Sequence, residues 1–326
     1  MARFVWASIV LVCVVALKAS AEEQFQRPKL ANDYANRPAE DQPAAANLQP
    51  SLLAEQPAPS VYELPTPPTG KEAINYGGIH LDMKVSYFSN YLFRGVNRSE
   101  FISEASQQGS SSQANFQFDG KLSFDLGNKL PHPFIGIFAN VLDSDPVSNF
   151  QEVRPFFGVD WNIRPLIFSV GNTLYEFPDR KELNTSEVWL KVTLDDAAIL
   201  KRDEPLLSPY FFAAYDYDRY EGWYLETGIS HDFVIEKTGI TLTPLANIAY
   251  VVNNGAFKQT PNGEDTGFQH YEVGIIGRYS LNTLFNVSQR YGNWSLNGYL
   301  YYDAGIDSEL LSTTTVWGGM GIELTY

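Results

Sequence analysis

From Ile79 onward, apolar and polar residues alternate in short runs separated by turn residues. The C-terminal run is the clearest. Val316, Gly318, Met320, Ile322, Leu324 and Tyr326 share one face, and Trp317, Gly319, Gly321, Glu323 and Thr325 share the other. Apolar outside and small or polar inside is the pattern of a barrel strand in lipid. Half-buried soluble strands also alternate, so the rest of the chain decides.

About twelve such strands follow one another over 79–326. The first is predicted over about 80–96, where Leu81, Met83, Val85, Tyr87, Tyr91 and Phe93 alternate with Asp82, Lys84, Ser86, Asn90 and Arg94. In the second, Phe116, Phe118, Leu122, Phe124 and Leu126 oppose Gln117, Asp119, Lys121, Ser123 and Asp125. Others are expected near 134–142, 153–163, 166–177, 187–194, 210–217, 223–233, 240–252, 271–279 and 294–302, before the terminal run. Short connections (127–133, Arg164-Pro165, 235–239) alternate with long polar ones such as 97–112, 253–267 and 303–314. Short turns at one end and long loops at the other mark outer-membrane barrels. Two connections on the short side, 195–208 and 281–293, are long; the first suits a short helix, and either has room for a further strand. The barrel region has 248 residues, enough for twelve strands of roughly 9–11 residues each. The fold class expected is an all-β transmembrane antiparallel barrel. An even strand count puts both its ends on the periplasmic side.

Residues 1–21 read as a cleaved signal peptide. Arg3 precedes the apolar stretch Phe4 to Leu17, Lys18 ends it, and Ala19-Ser20-Ala21 offers the cleavage site. Cys13, the one cysteine, leaves with it, so disulfide chemistry is excluded. Residues 22–78 hold nine of the 19 prolines and show neither helical nor strand periodicity. This is the composition of a disordered periplasmic linker. It is a spacer, or an arm that contacts the cell wall or a periplasmic partner.

Loss of Arg3 and Lys18 leaves 21 basic against 38 acidic residues, a net charge of −17. That balance argues against nucleic acid as a partner. Aromatics make up 14% of the chain, which suits a barrel with interfacial girdles. The strand register places Lys84, Arg94, Asp119, Lys121, Arg154, Asp160, Glu187, Lys191, Glu226, Glu272, Arg278 and Glu323 on the lumen face. Such a mixed-charge interior either lines a path for small polar solutes or pairs internally and closes the lumen. The long loops are acidic, with Asp143, Asp145, Glu152, Asp216, Asp218, Glu221, Glu264 and Asp265 among their charges. The group Asp216, Asp218 and Glu221 has no calcium-loop spacing, so solvated charges are expected. His80, His132, His231 and His270 accompany no nucleophile elbow, metal-binding pair or phosphate loop. His231 and Asp232 point to opposite faces of a strand. A Ser–His pair built across strands would leave no linear motif. The expectation is no catalytic residue, no cofactor and no metal.

The segment Ser89-Asn90-Tyr91-Leu92-Phe93-Arg94-Gly95 resembles an early strand of the TorF-type porin family of Gram-negative outer-membrane barrels. Ser89, Tyr91, Phe93, Arg94 and Gly95 carry the resemblance; Arg98 stands where the family often has Gln, and the long Pro-rich arm also departs from the pattern. The resemblance implies an outer-membrane location and porin activity, but no solute. Gly95 permits a bulge or tight bend, with Arg94 at the mouth of the pore.

The leading expectation is therefore an outer-membrane channel for small polar solutes. The alternatives are a closed structural or interaction barrel, and a secreted soluble β-sandwich. For a membrane barrel the partners are outer-membrane lipid and the barrel-assembly machinery, with the terminal aromatic Tyr326 as assembly signal.

Overall fold

The computed structural model describes residues 78–98, 114–126, 130–142, 152–178, 180–202, 205–235, 238–257, 263–311 and 314–326. The signal peptide and, apart from Gly78, the Pro-rich linker lie outside the described residues, as do Asp143 and Asp145.

The strands are β1 (Ile79–Phe88), β2 (Leu92–Phe93), β3 (Val96–Asn97), β4 (Asn115–Phe124), β5 (His132–Leu142), β6 (Glu152–Ile163), β7 (Leu166–Tyr175), β8 (Thr185–Leu194), β9 (Tyr210–Asp216), β10 (Trp223–Ser230), β11 (Phe233–Ile235), β12 (Ile240–Val252), β13 (Gly267–Ser280), β14 (Asn293–Gly305) and β15 (Thr314–Thr325). All but β2 and β3 form one antiparallel sheet in which neighbours in sequence pair in space. It closes into one ring, with β1 paired to β15 and β10 paired to β12. Strands β10 and β11 run in one register along β12, so the wall has twelve strands. Their interruption at His231 and Asp232 has a local cause. His231 donates its N–H to the Pro244 carbonyl at 3.2 Å, and Pro244 has no N–H to return. A single closed sheet rules out the β-sandwich. Among the described residues no helix is long and apolar enough to cross a membrane; a barrel crosses with strands.

The surface is inverted relative to a water-soluble domain. Val85, Ile135, Ile137, Phe157, Val188, Phe211, Ile275, Leu300, Val316 and Met320 are exposed on the outer face, while charged residues are buried within. At the long-loop end the outer face carries cross-strand aromatic pairs: Tyr87 on Phe116 (4.7 Å), Tyr215 on Trp223 (4.9 Å) and Tyr250 on Phe268 (5.0 Å). These form an interfacial girdle. Among the described residues the two long connections on the opposite side hold no extra strand. One contains the helix α1 (Asp196–Leu200), and the Asp196 carboxylate accepts the N–H groups of Leu206 and Leu207 at 2.9 and 2.8 Å. The other contains α2 (Leu281–Phe285), capped by Ser280, whose side chain accepts the Thr283 N–H. This second connection passes Gly292 against Leu324, so Leu324 is buried rather than lipid-facing.

The largest departure from the sequence pattern is in the first strand. It ends at Phe88, not near residue 96. Arg94 and Gly95 take positive φ values of 49° and 79°, and β2 and β3 close a two-residue hairpin around them. The hairpin folds into the barrel. Tyr91 and Phe93, expected on the lipid side, are completely buried inside, and Arg94 lies within the lumen rather than at its mouth.

The seam between β1 and β15 runs from Asp82↔Thr325 to Phe88↔Gly319 and ends in two hydrogen bonds between Leu81 and Tyr326, at 2.7 and 2.8 Å. Deleting Tyr326 removes that last rung, and the expected result is less heat-modifiable barrel in the membrane fraction; undiminished levels would contradict it. Met320 lies midway along β15 and is 64% exposed on the outer face. Met320→Arg should cost about 2–4 kcal/mol in urea unfolding from liposomes, the cost of a cation at mid-bilayer; an unchanged midpoint would contradict a lipid-facing position.

Candidate functional site

The lumen has two zones. The half toward the long loops is filled by the hairpin and an aromatic cluster that includes Phe138, Tyr175, Phe177, Phe212, Tyr224 and Phe257. The half toward the short turns is lined by charged wall residues.

Glu152 is the centre of the filled zone. It is 0% exposed and accepts from Tyr91 Oη at 2.7 Å, and from the guanidinium groups of Arg98 and Arg154. Both guanidiniums also stand 3.8 Å from the centre of the Phe93 ring. Two groups that close to one centroid must occupy opposite faces. The negative faces of the ring and the carboxylate therefore share the work of holding two buried cations. At the hairpin tip, Arg94 donates to both carboxylate oxygens of Glu187, at 2.9 and 3.2 Å, and stacks 4.1 Å from the Tyr224 ring centre. Gly95 faces His270. A Cβ there would meet the imidazole at 2.7 Å, so glycine is required by space as well as by φ.

The other residues expected in the lumen lie as follows. Lys84 shares a rung with Asp119 on one side and Glu323 on the other. Lys121 pairs with Asp160 at 2.7 Å and stands 4.2 Å from the Phe134 ring centre. Lys191 stands over Tyr210 at 4.6 Å. Glu226 accepts from the Tyr210 and Tyr224 hydroxyls at 2.5 and 2.6 Å. Glu272 accepts from Asn247 Nδ2 at 3.2 Å. Arg278 shares a rung with Asn297, whose amide donates to Glu323 at 2.8 Å.

Sequence reasoning missed three residues. Glu152, read as a loop acid, opens β6 and lies two residues before Arg154 on the same face. Asp303 belongs to β14 and is 2% exposed. Both were reachable by extending the strand parity one step. Arg98 had no such signal, because the hairpin breaks the period. Among the loop acids, Asp216 is a turn builder: it accepts from the N–H groups of Asp218, Arg219 and Tyr220 and from Thr185 Oγ1. His231 packs edge-on against Phe233, and His270 lies 3.6 Å from Asp303; neither hydrogen-bonds a serine among the described residues.

No family model matches the chain, and no curated protein matches it. The resemblance to TorF-type porins thus rests on the local motif. Solved structures give barrel-level likenesses. The NanC porin is similar at 11% identity and a TM-score of 0.41, covering 75% of this chain and 98% of that one. The KdgM porin is similar at 10% identity and a TM-score of 0.40, covering 76% and 99%. The COG4313 outer membrane channel from Pseudomonas putida F1 is similar at 11% identity and a TM-score of 0.40, covering 79% and 99%. At these scores the likenesses define neither a family nor a solute for this chain.

Glu152→Gln would leave two buried guanidiniums without their shared countercharge. The expected cost is about 3–5 kcal/mol, the usual penalty for breaking a buried pair. It should appear as a lower urea midpoint and as tryptic cleavage at Arg94 or Arg98. A variant as stable and as resistant as the parent would show that Glu152 does not hold the hairpin.

Proposed function

We propose that this chain is an outer-membrane channel for small polar solutes, narrowed by its own lumenal hairpin. The observation that supports this best is the filling of the barrel. A purely structural barrel of this width is most cheaply filled with apolar side chains. Here the half toward the short turns is lined instead by charged groups: Lys84, Arg278 and Glu323 are half-buried, and Lys121, Asp160 and Lys191 are buried beside them. Charges in a closed wall are stable when water reaches them, and a watered lumen is what a channel needs. The path then narrows at the hairpin, beside which a cavity of about 10 Å³ remains, room for a single water. In this reading the chain resides in the outer membrane of a Gram-negative-type bacterium. It reaches the periplasm behind a cleaved signal, and Tyr326 is the residue that the assembly machinery reads. The Pro-rich 22–78 segment is a periplasmic spacer. The lumen charges act as wall residues, and none is assigned a catalytic role.

A second reading is favoured by one observation: the hairpin and its aromatic cluster fill the loop half of the barrel with a packed core. On that reading the barrel is a closed structural or interaction module. Planar-bilayer recording separates the two. Stepwise currents of small amplitude are expected from the whole protein, rising several-fold when residues 90–98 are replaced by a Gly-Ser linker. Silence from the whole protein would overturn the channel reading and leave the closed barrel.

A further inference from the structure

The wall opposite Glu152 carries a row of buried acids, one of which, Asp303, lies 3.6 Å from His270. Glu272 on β13 is directly opposite Asp303 on β14. On its other side Glu272 faces Asn247 of β12, and Glu226 of β10 lies one diagonal step from Asn247. Directly opposed side chains on one face lie about 5 Å apart, and like charges there repel. Glu226, Glu272 and Asp303 are each at least 96% buried, and among the described residues no lysine or arginine forms an ion pair with any of them. Around the hairpin, three guanidiniums (Arg94, Arg98, Arg154) stand among five acids (Glu152, Glu187, Glu226, Glu272, Asp303), two more acids than guanidiniums.

A second feature points to what balances them. Asn247 is 9% exposed, and its Oδ1 has no hydrogen-bond partner. The amide cannot simply be turned round, because Nδ2 is the atom that donates to Glu272. A buried carbonyl oxygen left over beside carboxylates is a ligand for a positive charge, not for an anion. Asn247, Glu226 and Glu272 also line the gap that remains beside the hairpin, together with Arg94, Gly95 and His270. Arg94 also borders the gap, but its Nη2 is directed at both oxygens of Glu187 and its guanidinium stacks on Tyr224.

We infer that the gap between the hairpin tip and Glu226, Asn247 and Glu272, with Asp303 beside Glu272 on the next strand, is a binding site for a small monovalent cation, an alkali ion or an ammonium group, through which the channel selects cations. The inference rests on the channel reading. The gap is too narrow for a sugar or an amino acid, and its oxygen donors suit a partly dehydrated ion. Passage consists of exchange of water for Asn247 Oδ1 and carboxylate oxygens on entry, and the reverse on exit.

The test is the reversal potential in a KCl gradient across a planar bilayer. The parent protein should prefer K⁺ over Cl⁻. Glu272→Gln with Asp303→Asn should lower the permeability ratio several-fold, and Glu272→Asp should keep it. Glu264→Gln, in an exposed loop, should leave it unchanged, which separates the site from the general acidity of the loops. Replacement of K⁺ by tetramethylammonium should reduce the current strongly. A parent channel without cation preference overturns the inference alone, with no variant needed. Heat-modifiable double-variant barrels that keep the parent's ratio also overturn it alone. No current from the parent overturns the channel reading and this inference together.

Discussion

Every backbone group in the wall must find its partner within the chain, because lipid offers none. The pairing of β1 with β15 meets that requirement at the one place where the strands are far apart in sequence. Ser86, Tyr87 and Phe88 approach Gly321, Met320 and Gly319 there, and a Cβ on Gly319 would lie 2.2 Å from the Tyr87 carbonyl. The glycines on the inner face of β15 are therefore the condition for closure at that rung. Once the seam is closed, the direction of every side chain follows: odd positions of β1 meet lipid and even positions meet the lumen.

Closure at twelve strands sets a second problem, because lumen width grows with strand number. Side chains from a wall this wide do not meet across the middle. The chain meets the problem with ten residues that leave the wall after Phe88. The hairpin reaches Glu152 and Arg154 on β6, Glu187 on β8, Tyr224 on β10 and His270 on β13. It bridges opposite walls at the point where they would otherwise face an empty channel. Its charges explain why the bridge is specific. A hairpin of apolar residues would pack in several ways; one whose arginines must each find a buried carboxylate packs in one.

Strand positions, their parity and the even count were legible in the sequence because lipid and lumen impose opposite demands on alternate residues. For example, 240–252 is a strand in both readings. The hairpin was not legible. Tyr91 and Phe93 fall on the odd, apolar positions of β1 and Asn90 on an even, polar one, so periodicity reads on past Phe88 although Ser89 and Leu92 break it. The strand ends at Phe88, and what reverses the chain inside the lumen is the pair Arg94-Gly95 in left-handed conformation, a turn signal as short as two residues. Once the chain turns inward, the same alternation serves a core instead of a membrane. Tyr91 and Phe93 look lipid-facing for the same reason that they are good lumen fillers: both environments bury an aromatic ring. The break in β10–β11 was equally hidden, since Pro244 acts on the neighbouring strand and not on its own.

The two halves of the lumen are charged differently for a common reason. Where the hairpin's arginines point, toward β6 and β8, wall carboxylates are paired and a ring such as Phe93 shares the positive charge. The hairpin's other side presents Leu92 and Gly95, which carry no charge, toward β13 and β14. Among the described residues the acids on that wall receive two tyrosine hydroxyls on Glu226 and an asparagine amide on Glu272, with His270 3.6 Å from Asp303. Neutral donors stabilise a carboxylate without cancelling its charge. The asymmetry of one small hairpin is enough to divide the lumen into a neutralised wall that anchors it and an electronegative wall that remains for a passing ion.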